Sequence, residues 1–133
     1  MLLTKKTEYA LLSLISIAKS ESPKNADELS KELNIPKHYL AKILQSFSKN
    51  DILKSFKGAN GGFTLNISPD KLTILQISTI SEEKIPSVFE CSPSQESCPS
   101  DKANSCHLWK VLNNLQVKID TFMDSITLKD IMQ

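Results

Sequence analysis

Positions 58, 61 and 62 hold all three glycines of this 133-residue chain. Glycine is needed where the backbone takes positive φ or closely approaches another backbone, so one tight reversal is demanded here and nowhere else. On either side, Ile52-Leu53-Lys54-Ser55-Phe56 and Gly62-Phe63-Thr64-Leu65-Asn66-Ile67 read as the two strands of a hairpin around Lys57-Gly58-Ala59-Asn60-Gly61. The chain before and after reads at the helical period. The expected fold is therefore mostly α with one small β-hairpin.

Thr4 precedes a helix of about four turns, in which Leu11, Leu12, Leu14, Ile15 and Ala18 supply a broad apolar face. Ser22-Pro23-Lys24 breaks it. Asn25 followed by Glu28 resembles a capping box and opens a short helix with Ala26, Leu29 and Leu33 on one face. That helix ends at Leu33-Asn34, where Asn tolerates the left-handed conformation of a tight turn. Ile35-Pro36 opens a third helix, with Leu40, Ile43, Leu44 and Phe47 inward and a polar, basic face outward. A fourth short helix is expected over 74–80. A long one follows from about Ser105 to Ser125, with Leu108, Leu112, Leu115, Ile119, Phe122 and Ile126 at coiled-coil spacing. Thr127 can cap a terminal turn.

The net charge of +1 conceals an asymmetry. Residues 1–66 carry ten Lys against six acids, and residues 67–133 carry six Lys against nine acids; there is no Arg. The basic half suits a polyanion. Short helix, turn, polar-faced helix and glycine hairpin together make a winged helix-turn-helix, whose third helix lies in the major groove of double-stranded DNA. The residues assigned to DNA are Lys37, His38, Tyr39, Lys42 and Gln45 on the third helix, and Lys54, Lys57 and Asn60 on the wing. Lys contacts give salt-dependent affinity, and His38, Tyr39 and Gln45 are the expected base readers. The plainer alternative is a helical core with a solvated charged face.

Cys91, Cys98 and Cys106 are the only cysteines, and they fall within one 16-residue window. From Glu83 to Ser105 the chain has three prolines and six serines, which makes an unusually long loop for a compact domain. Its own side chains promise little ordering, whereas three thiolates converging on a metal would supply it. The C-x6-C-x7-C spacing lacks the paired knuckles of structural zinc sites. Three soft thiolates suit an iron–sulfur cluster whose fourth position is filled by a non-Cys ligand. Zinc, a thiol redox switch and three unrelated cysteines stay open on spacing alone. An odd cysteine count suits a disulfide framework poorly, so a reducing cytoplasm is expected. Lys5, Lys6 and the apolar run 9–18 could pass for a secretory signal, but Glu8 fits a core helix better. No 18-residue apolar span suggests a membrane helix. Two well-separated histidines and the lack of a nucleophile or phosphate motif point away from an enzyme.

Taken together, these residues resemble the IscR/NsrR-type (Rrf-type) family of iron–sulfur winged-helix regulators. The resemblance runs from Leu3-Thr4-Lys5 and Glu8-Tyr9-Ala10 to Ile126-Thr127-Leu128-Lys129-Asp130. Its firmest marks are Ile35-Pro36 before Tyr39-Leu40, the wing Lys57–Phe63, Cys98-Pro99, and Cys106-His107-Leu108-Trp109. The resemblance implies a winged helix-turn-helix domain over 1–82, a cluster-bearing loop over 83–105, and a dimerisation helix with its terminal turn over 106–133. It also implies a homodimer on a near-palindromic operator and a 2Fe–2S or 4Fe–4S cluster on Cys91, Cys98 and Cys106. By the same resemblance, Glu8 from the other subunit completes the cluster, with His107 as second choice. The resulting reading is a transcription regulator, taken as a repressor, that senses iron–sulfur, nitric oxide or redox status. Its rivals are a metal-free thiol regulator and an iron–sulfur electron-transfer or carrier protein.

Overall fold

The computed structural model describes residues 3–97 and 105–132. Thr4, in extended backbone, starts helix α1 (Lys5–Lys19) by accepting a hydrogen bond from Lys6 N. Asn25 does the same for α2 (Ala26–Leu33): its Oδ1 accepts from Glu28 N at 2.8 Å while its Nδ2 donates to Glu28 Oε1. Asn34 ends that helix at φ 56, ψ 46, the left-handed turn expected of it. Pro36 then leads into α3 (Lys37–Lys49). Leu40, Ile43, Leu44 and Phe47 of α3 are buried against Ala10, Leu14 and Ile17 of α1 and Leu29 of α2. This is the three-helix core on which the rest is mounted.

The change of period arrives where the glycines place it. Strands β1 (Leu53–Phe56) and β2 (Gly62–Leu65) pair antiparallel in the register Leu53 with Leu65 and Phe56 with Gly62. Each strand is shorter than the sequence pattern suggests, because Ile52, Asn66 and Ile67 lie outside the ladder. The hairpin is also fastened to the front of α2. Phe63 N donates to Lys24 O at 2.7 Å, and Lys24 N donates to Phe63 O at 3.2 Å. Gly62 sits at φ +144, and a Cβ there would come within 2.5 Å of the Lys24 carbonyl carbon. Only glycine lets the wing root lie this close to the start of α2.

Helix α4 (Ile74–Glu82) is opened by a full capping box between Thr73 and Gln76 and runs two residues beyond the expected end. Its end meets the start of α1: Glu82 accepts hydrogen bonds from the hydroxyls of Thr4 and Thr7, and Thr7 is also bonded to Ser81 at 2.9 Å. The long helix α5 (His107–Ser125) begins after Cys106, which takes extended backbone as N-cap. At its far end the chain returns to the core. Thr73 Oγ1 donates to Asp124 Oδ1, Leu128 N donates to Leu72 O, and Leu128 of α6 (Leu128–Ile131) is fully buried. Thr127 caps that turn as its sequence suggests.

Candidate functional site

One face of α3 is polar and exposed. His38, Lys42, Gln45 and Lys49, spaced 4, 3, 4, are all exposed, directly opposite the buried Leu40–Phe47 stripe. Between this face and the wing runs a groove of about 660 Å³, lined by Lys42, Gln45, Lys49, Ser55 and Phe63, with Glu83 at its margin. The start of α3 has no side-chain cap, so its first N–H groups and the positive end of the helix dipole face outward, an arrangement that favours an anion such as phosphate. Lys37, at that end, is 3.7 Å from Asp27. Asp27 is itself bonded to Lys31, which, with a smaller contribution from Lys37, holds its carboxyl below its ordinary value. Lys42 and Lys49 have no ion pair among the described residues.

Tyr39 stands apart from the other assigned α3 residues. Its half-buried ring meets Tyr9 of α1 edge-on, with centroids 5.5 Å apart and planes at 89°. The ring therefore braces α3 against α1. On the wing, Lys54, Lys57 and Asn60 are exposed, and the Lys54 ammonium lies 5.5 Å from the centre of the Phe56 ring. The α3 face thus gives the groove its cations, Lys42 and Lys49, while Ser55 and Phe63 form its wing side.

The cysteines form the second constellation. Cys91 and Cys106 are free thiols, each half-buried; Cys98 lies outside the described residues. Trp109, one turn into α5, donates its Nε1–H to Cys91 O at 2.9 Å. This bond draws the Cys91 backbone to the same end of α5 that Cys106 begins. Among the described residues no three of His, Cys, Asp and Glu converge as metal ligands. Within one chain, then, neither Glu8 nor His107 is gathered with both described thiols. Glu8 is exposed on the first turn of α1 and pairs with Lys5 at 2.7 Å; His107 is exposed as the first residue of α5. The donor set suits a soft metal in kind: two free, half-buried cysteines, with a third in the segment between them.

The expectation that this loop cannot order itself needs correcting for residues 86–93. Beyond Trp109, Asn113 Nδ2 donates to Ser92 O at 2.8 Å, and Gln116 bonds Pro86, Val88 and Ser92. These α5 residues were hidden by their polarity: reading α5 for its leucines discards the polar positions beside them. Their signal is a second 4, 3, 4 spacing, Trp109, Asn113, Gln116 and Asp120, on a neighbouring face. The leucine seam also divides. Leu108, Leu115 and Phe122 are exposed together with Val111, whereas Leu112, Ile119 and Ile126 are half-buried. No helix among the described residues is long and apolar enough to cross a membrane.

Comparison with known proteins bears on both constellations. Residues 3–133 match the Rrf2 family, described as "Iron-dependent Transcriptional regulator". The HTH-type transcriptional regulator IscR of Aliivibrio salmonicida is 26% identical over 135 residues, covering 99% of this chain and 77% of that protein. Among solved structures, CymR, the global cysteine regulator of B. subtilis, superposes with a TM-score of 0.74 at 26% identity, covering 98% of this chain and 95% of its own. T. potens IscR shares the fold with a TM-score of 0.75 at 20% identity, covering 98% and 85%.

Proposed function

This chain belongs to the Rrf2 family of DNA-binding transcriptional regulators, and from that premise we propose that it is a homodimeric repressor of a near-palindromic operator, sensing iron–sulfur, nitric oxide or redox status through Cys91, Cys98 and Cys106. The observation that carries the sensing half is the pair of free, half-buried cysteines, Cys106 at the cap of α5 and Cys91 tied to its first turn through the backbone carbonyl. Three thiolates of this kind would hold a 2Fe–2S or 4Fe–4S cluster, which supplies a centre that can change charge or be lost. Glu8 of a second copy is assigned to the fourth position, with His107 as the substitute.

The DNA half follows from the α3 face and the wing. His38, Tyr39 and Gln45 meet base edges in the major groove, and Lys37, Lys42 and the uncapped start of α3 meet phosphate. Lys54, Lys57 and Asn60 follow the backbone or minor groove from the wing. With no Arg, the cationic contacts are point charges, so affinity is steeply salt-dependent. The exposed apolar residues of α5, Leu108, Val111, Leu115 and Phe122, are the face a second copy covers. A thiol state that favours one spacing of the two DNA-binding heads shifts operator affinity by its differential stability in that arrangement.

The test is iron, sulfide and zinc content, with a visible spectrum, on protein purified without oxygen. Near-stoichiometric iron and sulfide with a broad visible band, lost in Cys91→Ala, is the expected result. Colourless protein without iron or sulfide after attempted reconstitution overturns the cluster and leaves a thiol-based regulator with the same DNA face. For the fourth ligand, Glu8→Ala should blunt the response of operator binding to cluster loss without dissociating the dimer; an unchanged response removes Glu8.

A further inference from the structure

Residues 86–93 are seated on α5 by a continuous set of hydrogen bonds. Trp109 Nε1 donates to Cys91 O at 2.9 Å, and Asn113 Nδ2 donates to Ser92 O at 2.8 Å. Gln116 makes four bonds. Its Oε1 accepts from Val88 N at 2.8 Å and Ser92 Oγ at 2.7 Å; its Nε2 donates to Pro86 O at 2.9 Å and Asp120 Oδ1 at 2.7 Å. At about 100° per residue, Trp109, Asn113, Gln116 and Asp120 fall within an arc of about 60° on the helix. Gln116 is only 2% exposed and Ser92 is fully buried. Both donors and both acceptor sites of this amide are used, so its removal would strand several polar groups away from water.

We propose that Gln116, Trp109 and Asn113 are positioning residues for Cys91, holding its backbone at the start of α5 in the metal-free protein. The inference rests on the reading of Cys91 as a ligand and deepens it: hydrogen bonds within the polypeptide set where the Cys91 backbone stands. Trp109 lies three residues after Cys106, so the bond to Cys91 O references both thiols to one helical turn. The ordering entropy of this half of the site is then met during folding, and a metal encounters a pre-arranged donor. Such support from groups that never touch the metal is how ligands are commonly oriented.

The experiment uses the full chain, reduced and stripped of metal by a chelator. Amide hydrogen exchange should show Val88, Phe89 and Ser92 protected in the wild type by on the order of tenfold or more over an unstructured chain. Gln116→Met should abolish that protection while Leu44 and Phe47 in the core stay unchanged. The ratio of Cys91 to Cys106 alkylation by iodoacetamide should rise on the order of tenfold in Gln116→Met, and by less in Trp109→Phe, which keeps the ring and removes one N–H. A merely structural role would move both thiols together. An unprotected 88–92 segment in metal-free wild type, or an unchanged ratio in both variants, overturns the proposal. Iron and sulfide uptake is read separately. Wild type that loads iron while 88–92 is unprotected in the metal-free form defeats only the positioning claim. Wild type that stays iron-free, with protection and ratios as expected, defeats only the cluster.

Discussion

Gly62→Ala tests the claim that the wing is held by its root. Gly62 sits at φ +144, a region that costs a side chain about 1–3 kcal/mol. The added Cβ would also stand 2.5 Å from Lys24 C, 2.6 Å from Lys24 O and 2.7 Å from Asn25 N, all backbone atoms that no rotamer change can move. Relief requires parting β2 from the front of α2. That breaks the two Lys24–Phe63 hydrogen bonds, worth about 1 kcal/mol each, and disturbs the Asn25 cap. The sum is about 3–5 kcal/mol, a large share of the roughly 5–15 kcal/mol that holds a domain together. Gly58→Ala is the control. It has φ +105 but nothing within 4 Å of an added Cβ, so it should lose the strain alone, about 1–3 kcal/mol. Urea unfolding of the two variants at one temperature measures the difference. Equal losses, or a smaller loss for Gly62→Ala, would refute the packing argument.

Other expectations follow from the charges and from α5. Asp27→Asn should release Lys37 to the duplex, tightening binding and steepening the log-affinity against log-salt slope by about one unit; an unchanged slope means that Lys37 does not reach phosphate. Asp27, Asp70 and Asp130 have carboxyls lowered from 3.8, and Glu32 from 4.5, chiefly by hydrogen bonds from Lys31, Ser68, Thr127 and Lys24 respectively. Because the folded values are depressed, this stabilisation is complete above the ordinary values and is lost as pH falls through the folded ones. Stability measured in urea should thus decline only below about pH 4–5, and a rise on acidification through that window would contradict it. Phe122 is 66% exposed, so Phe122→Asp should leave monomer stability within about 0.5 kcal/mol. It should weaken self-association by at least about 2 kcal/mol in sedimentation equilibrium; unaltered association would clear α5 of the dimer.

How far the sequence reveals this structure depends on which forces are local. The hairpin, the Asn34 turn, and the Thr4, Asn25 and Thr127 caps are legible because each rests on backbone chemistry within a few residues. The α3 stripe is legible because burial writes itself in the 3.6-residue period. Three features are not. The fastening of Gly62 to Lys24 spans 37 intervening positions and leaves no periodic trace. The half-buried state of Tyr39 depends on where α1 places Tyr9. The seating of residues 86–93 depends on Gln116 and Asn113, whose polarity on a leucine-rich helix looks like solvent-facing filler until the loop is folded over it. In each case the deciding contact joins segments distant in sequence.

Helix α5 joins the two constellations through its faces. The polar face of Trp109, Asn113, Gln116 and Asp120 and the exposed apolar face of Leu108, Val111, Leu115 and Phe122 lie about 140° apart around one rod. A rigid helix cannot turn one face without turning the other, so reseating the cysteine loop would re-aim the surface proposed for the second copy. From the other end of the loop, Glu82 bonds Thr4 and Thr7 of α1, and Tyr9 of α1 braces Tyr39 of α3. These contacts link the root of the loop to the helix proposed to read DNA, against which α4 also packs directly. Contiguity alone does not make coupling; coupling requires that the thiol states differ in their preference for the DNA-competent arrangement. Where they do differ, the effect must run both ways. Whichever thiol state strengthens operator binding is itself favoured by the operator, by the same factor.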